Sequence, residues 1–127
     1  MLTKQKGDVA LSMAIAYFMS NEYEVLLPIG DKRPYDLVIE KGGLLSRVQV
    51  KYAGLYASQK CIAALRVMGG NQSYYTAKKY EDTAFDYLFV YSARHEAYLF
   101  PWREVAARNA IRVEVSKYAA YKVSMQG

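Results

Sequence analysis

Apolar and polar positions alternate along this chain with two periods, and the period changes early. From Gly7 to Ser20, "GDVALSMAIAYFMS" repeats at helical spacing: Val9, Met13, Ala16 and Tyr17 fall on one stripe, with Asp8 where an N-cap belongs. "EYEVLLP" then reads as a strand, stopped by Pro28 and the polar loop "IGDKRP". "YDLVIE" and "LLSRVQVK" follow as strands around "KGG", where glycine accepts a positive φ. "CIAALRVM" predicts another strand, and "DYLFVY" and "EAYLFP" predict a pair across "SARH". "PWREVAARN" predicts a second helix, with Pro101 in its first turn. "GGNQSYYTAKKYEDTA" reads as a long polar, aromatic and basic loop or hairpin, and "AIRVEVSKYAAYKV" fits a strand or irregular structure. No repeat, linker or composition shift divides the chain, so one domain over residues 1–127 is expected. The order helix, strands, helix implies a mixed α/β or α+β fold, with a central sheet of about four strands flanked by two helices.

Composition narrows the chemistry. Lys and Arg number 17 against 12 Asp and Glu, a net charge of +5 that suits an anionic partner such as nucleic acid. The 13 tyrosines suit base stacking, backbone contacts or a half-buried sheet. Cys61 is the sole cysteine, so the chain holds no internal disulfide and no cysteine-based zinc cluster; its apolar surroundings mark it as a small buried hydrophobe. His95, the sole histidine, reads as a solvent-facing turn residue. The polar start "MLTKQKGD" and the lack of any apolar run of roughly 18 residues point to a cytoplasmic protein with no membrane span.

Asp36, Gln49 and Lys51 interrupt strands that otherwise look buried, and unpartnered polar groups there are costly. If Gly42 and Gly43 form a two-residue turn, Lys41 faces Leu44 and Asp36 faces Gln49. The strand period of two then puts Lys51 on the same face as Gln49. A carboxylate beside an amide and a strand carbonyl can hold a hard cation such as Mg²⁺, and a neighbouring ammonium can orient a water or neutralise charge on a phosphate. The same register is equally compatible with a plain Asp–Lys ion pair beside a solvated glutamine.

The segment Pro34-Tyr35-Asp36, followed after twelve residues by Gln49-Val50-Lys51, resembles the signature of the PD-(D/E)xK nuclease superfamily. Together with "KGDVALSMAIAYF", "LPIGDKRPYDLVIEKGG" and "RVQVKYA", it resembles the homing endonucleases of cyanobacterial group I introns, which tolerate glutamine at the second acidic position. The resemblance covers roughly the first 55 residues. It implies a restriction-endonuclease-like core and Mg²⁺-dependent, sequence-specific hydrolysis of double-stranded DNA. Asp36, Gln49 and the Val50 carbonyl would bind the metal, and Lys51 would position the attacking water. The family usually carries a glutamate on its first helix where "GDVAL" places Leu11. Leucine cannot bind a metal; a natural loss or a deliberate substitution would make this an inactivated form, and the alternative is a slightly shifted alignment of the helix. Holliday-junction resolvases and restriction-type nucleases share the resemblance, and a DNA-binding protein without catalysis is the non-enzymatic alternative.

Candidate DNA contacts are Lys4 and Lys6 before the helix, Lys32 and Arg33 before the hairpin, and Asn71, Gln72, Tyr74, Tyr75, Lys78 and Lys79 in the long loop. The amides can read adenine, and the cations and tyrosines can hold phosphates. A small chain with one site cuts two strands most simply as a homo-oligomer, commonly a dimer, and the resemblance extends this to a tetramer; "AIRVEVSKYAAYKV" and "DYLFVYS" are candidate interfaces.

Overall fold

The computed structural model describes residues 1–68 and 77–125. One long helix, α1 (Thr3–Ser20), starts four residues before the expected boundary. Asp8 is therefore no N-cap: it lies inside the helix, where its carbonyl accepts the Ser12 hydroxyl at 2.9 Å. The polar "TKQK" extends the helix because straight-chain residues lose little rotamer freedom there, which offsets the cost of Gly7, about 1 kcal/mol relative to alanine. Leu2 brings no side-chain cap; its N–H is met by Gln5 Oε1 at 2.8 Å instead. The buried stripe is Ala10, Ala14 and Phe18, with Val9, Met13 and Tyr17 half-buried beside it and Ala16 exposed.

Among the described residues ten strands follow: β1 (Glu24–Leu26), β2 (Leu37–Lys41), β3 (Leu44–Tyr56), β4 (Lys60–Ala64), β5 (Arg66–Met68), β6 (Ala77–Lys79), β7 (Tyr87–Ser92), β8 (Ala97–Pro101), β9 (Ala110–Arg112) and β10 (Lys122–Val123). The main sheet runs β1-β2-β3-β7-β8-β10, and the far half of β3 continues into β4 and β9. This mixed α/β architecture agrees with the expected class, but the sheet has eight strands, not about four. β3 and β7 pair in parallel and the other neighbours antiparallel.

β7 and β8 lie between two cores. Phe89, Tyr91 and Ala97 pack towards α1 with Val48, Val50 and Leu37, while Leu88, Val90, Tyr98 and Phe100 face a second core with Tyr80, Phe85 and Trp102. A strand covered on both faces needs an unbroken apolar run, which is why "DYLFVY" shows no alternation. Burial on both faces also removes "DYLFVYS" as an interface.

"PWREVAARN" forms no helix. Only a 3₁₀ turn, Trp102–Glu104, appears, and Val105 is extended. Trp102 is fully buried, and its indole N–H donates to the Glu81 carbonyl at 3.0 Å. Core packing of Trp102 and Val105 outweighs the weak helical tendency of so short a segment. "CIAALRVM" splits into β4 and β5 at buried Leu65, whose N–H donates to the Asn109 carbonyl. Cys61 is buried and His95 lies exposed in the β7–β8 turn, as expected. The tail resolves into β9, a 3₁₀ turn at Ser116–Tyr121, and β10. Among the described residues, no helix is long and apolar enough to cross a membrane.

Candidate active site

The β2–β3 hairpin positions the site. Gly42 and Gly43 have φ of +61° and +83°, the two positive values a tight primed turn requires. Pairing runs from Lys41↔Leu44 to Leu37↔Val48, the register expected from sequence. One residue further the ladder slips: the Asp36 N–H donates to the Val48 carbonyl at 2.9 Å, so Asp36 does not continue as a regular partner of Gln49. The slip brings the carboxylate to β3, where Asp36 Oδ2 accepts the Val50 N–H at 2.8 Å. A side chain thus replaces the missing strand partner and is fixed by the backbone it serves.

Pairing with β7 assigns the faces. Gln49 lies beside Leu88 and Lys51 beside Val90, both in the core away from α1, whereas Val50 lies beside Phe89 on the helix side. Gln49 is 7% exposed, and its Nε2 donates to the Val50 carbonyl at 3.2 Å. Lys51 is half-buried, with Nζ 5.3 Å from the centre of the Tyr80 ring. Burial raises the Asp36 pKa above the ordinary carboxylate value; the Val50 N–H and the Lys51 ammonium pull it back only in part. Asp36, Gln49 and Lys51 are brought together, and Val50 joins them through its main chain.

Leu11 is not brought into this group. It is half-buried against the core between α1 and the sheet. Lys6 Nζ lies 5.9 Å from the Tyr52 ring centre, on the helix side of the residue after Lys51. Lys4, Lys32, Arg33 and Lys79 are exposed. Asn71, Gln72, Tyr74 and Tyr75 lie outside the described residues, as does the side chain of Lys78, whose backbone pairs with Val67 in the β5–β6 hairpin.

The donors suit a hard divalent cation in type: one carboxylate, one carboxamide and one main-chain carbonyl, all able to offer oxygen. A positive charge at this place would offset the desolvation that raises the Asp36 pKa. Val50's carbonyl is engaged by the Gln49 amide, so sharing a cation would require Gln49 to turn its oxygen inward. Among the described residues, no three His, Cys, Asp or Glu side chains form a metal cage, so such an ion would keep several waters.

Sequence reasoning passed over Arg47, Tyr35 and Tyr80. Arg47 was accessible to it, since it stands two residues before Gln49 on an alternating strand. Tyr80 was not, because only the folded chain sets it over Lys51.

Residues 1–124 match the family described as PD-(D/E)XK endonuclease. The fold is similar to a solved bacterial homing endonuclease, I-Ssp6803I, with a TM-score of 0.76 and 25% identity over 96% of this chain and 89% of that one. No curated protein matches the chain.

Proposed function

This chain belongs to the PD-(D/E)XK endonuclease family, and from that premise we propose that it is a Mg²⁺-dependent, sequence-specific homing endonuclease of a group I intron, cutting double-stranded DNA. The observation that carries this reading is the Asp36 carboxylate, held at 2.8 Å by the Val50 N–H within the field of the Lys51 ammonium. Asp36, Gln49 (with its oxygen turned inward) and the Val50 carbonyl would hold a divalent cation, which when bound would supply charge stabilisation to the phosphate. Lys51 orients the attacking water and offsets charge growing on the phosphate oxygens. In-line attack of water on phosphorus forms the new P–O bond as the P–O3′ bond breaks, O3′ takes up a proton from solvent, and 3′-hydroxyl and 5′-phosphate ends result. A homo-oligomer presents two such sites to one duplex.

Leu11 favours a second reading, duplex binding with little or no cleavage, because an apolar side chain packed on the core contributes no ligand. One assay separates the two. Plasmid carrying candidate targets is incubated with the chain in Mg²⁺ or EDTA, beside Lys51→Ala and Leu11→Glu. Nicking that needs Mg²⁺, is lost in Lys51→Ala and rises at least tenfold in Leu11→Glu supports the nuclease. Binding with no cleavage in any variant supports the second reading.

A further inference from the structure

An open cleft of about 430 Å³ lies beside the site, lined among others by Arg33, Tyr35, Arg47, Lys79, Tyr80 and Glu81. Tyr35 adjoins Asp36 in sequence, and Tyr80 is the ring under the Lys51 ammonium, so two lining residues of the cleft neighbour the candidate site. Its lining holds three cations, Arg33, Arg47 and Lys79, against Glu81, and it stays positive when the Asp86 carboxylate paired with Arg47 is counted as well. Arg47, Gln49 and Lys51 occupy alternate positions of β3 and so form one row on one face.

Arg47 stands between this cleft and a second hollow lined by Asp82 and Asp86. Its backbone N–H donates to Asp86 Oδ2 at 2.7 Å, and the same oxygen takes its Nε at a longer 3.4 Å. The Arg47 guanidinium lies 6.0 Å from the Tyr35 ring centre. Asp86 therefore spends its best bond on the main chain and steers the guanidinium by one nitrogen. The two terminal nitrogens, Nη1 and Nη2, form no hydrogen bond among the described residues. A planar fork with two such donors fits a phosphate.

We propose that this cleft is a second phosphate subsite, in which Arg47 grips a backbone phosphate flanking the scissile one on the same DNA strand. Arg47 and Lys51 are four residues apart on β3, roughly 13 Å at about 3.3 Å per residue. Phosphates of one strand advance about 3.4 Å per nucleotide along the axis. A strand lying along β3 with its scissile phosphate at Lys51 thus carries a phosphate a few nucleotides away over Arg47. Arg33 and Lys79 line the same cleft and add charge, and Tyr35 and Tyr80 give the sugar apolar walls. The subsite is a positioning device: it fixes where the strand lies before Lys51 acts.

The proposal rests on the nuclease reading, but its test needs no cleavage. A fluorescent random-sequence duplex is titrated in EDTA at several KCl concentrations with the whole chain, Arg47→Met and Arg47→Lys. Methionine keeps an aliphatic stem over Tyr35 and removes the charge. The expected result is a salt slope lower by about one in Arg47→Met, with affinity down about tenfold at low salt, and a slope regained in Arg47→Lys. A packing defect would not change the slope by one ion. If Arg47→Met is misfolded by circular dichroism, Arg47→Gln takes its place in the same titration. A wild-type slope in the neutral variant overturns the subsite and leaves the nuclease reading standing. No duplex binding by the unmodified chain overturns both.

Discussion

At Asp36, burial raises the carboxyl pKa by more than the Val50 N–H and the Lys51 ammonium lower it. The folded chain therefore holds this proton more tightly than the unfolded chain does. Its contribution to stability is present below the unfolded carboxylate pKa and is lost as pH rises through the higher folded value. Asp36→Asn keeps an oxygen for the Val50 N–H and removes the charge. The variant is expected to melt above the unmodified chain at neutral pH, with the gap closing as the pH falls below the ordinary carboxylate range. Superimposable melting curves across that range would contradict the assignment. Gln49 is the weak member of the donor set because a carboxamide carries no charge. Calorimetric titration with Mg²⁺ at neutral pH should show Gln49→Glu binding more tightly than the unmodified chain. Heats identical in the two proteins would count against position 49 as a ligand.

Among the elements, the β2–β3 hairpin decides where those side chains lie. Its turn sets the register, and a one-residue slip would send every side chain of β3 to the other face. Gly43 sits at φ +83°, which an L side chain adopts only with strain, and a Cβ there would meet nothing within 4 Å. Gly43→Ala is therefore expected to cost about 1–2 kcal/mol through backbone conformation alone. Thermal unfolding should register it as a loss of several degrees, and an unchanged midpoint would mean that the turn relaxes without penalty. The β5–β6 hairpin acts at its C-terminal end: Tyr80, directly after β6, wedges edge-on against Phe85 and Trp102 with its ring under Lys51. The turn at Trp102–Glu104, though not the expected helix, contributes the indole that backs this contact.

In the whole molecule, a basic chain presents a single Asp36–Gln49–Lys51 group with a cleft of about 430 Å³ beside it. Cutting both strands then needs a second copy, and sedimentation equilibrium is expected to give a dimer or tetramer. A monomer at micromolar concentration would restrict the chain to nicking. Leu26, Leu27 and Ile29, at and beyond the end of edge strand β1, are 45%, 59% and 102% exposed, and they make a better starting place for interface mutations than β7.

The sequence by itself determined the hairpin and its register from Lys41↔Leu44 to Leu37↔Val48. These depend on neighbours in the chain: two glycines able to turn, and a period of two that puts Gln49 and Lys51 on one face. It also determined the long first helix, although not its start, because the polar "TKQK" carries no periodic apolar signal. Only the tertiary structure decided what covers the second face of the sheet. Trp102, Val105, Ile111 and Val113 come from segments with weak local preference, and they take their shape from the core they fill. The slip that carries Asp36 to the Val50 N–H, the Tyr80 ring beneath Lys51 and the Asp86 carboxylate that steers Arg47 are contacts between residues 14, 29 and 39 positions apart. Such distances leave no periodic trace in a sequence, because packing and not chain adjacency brings those groups together.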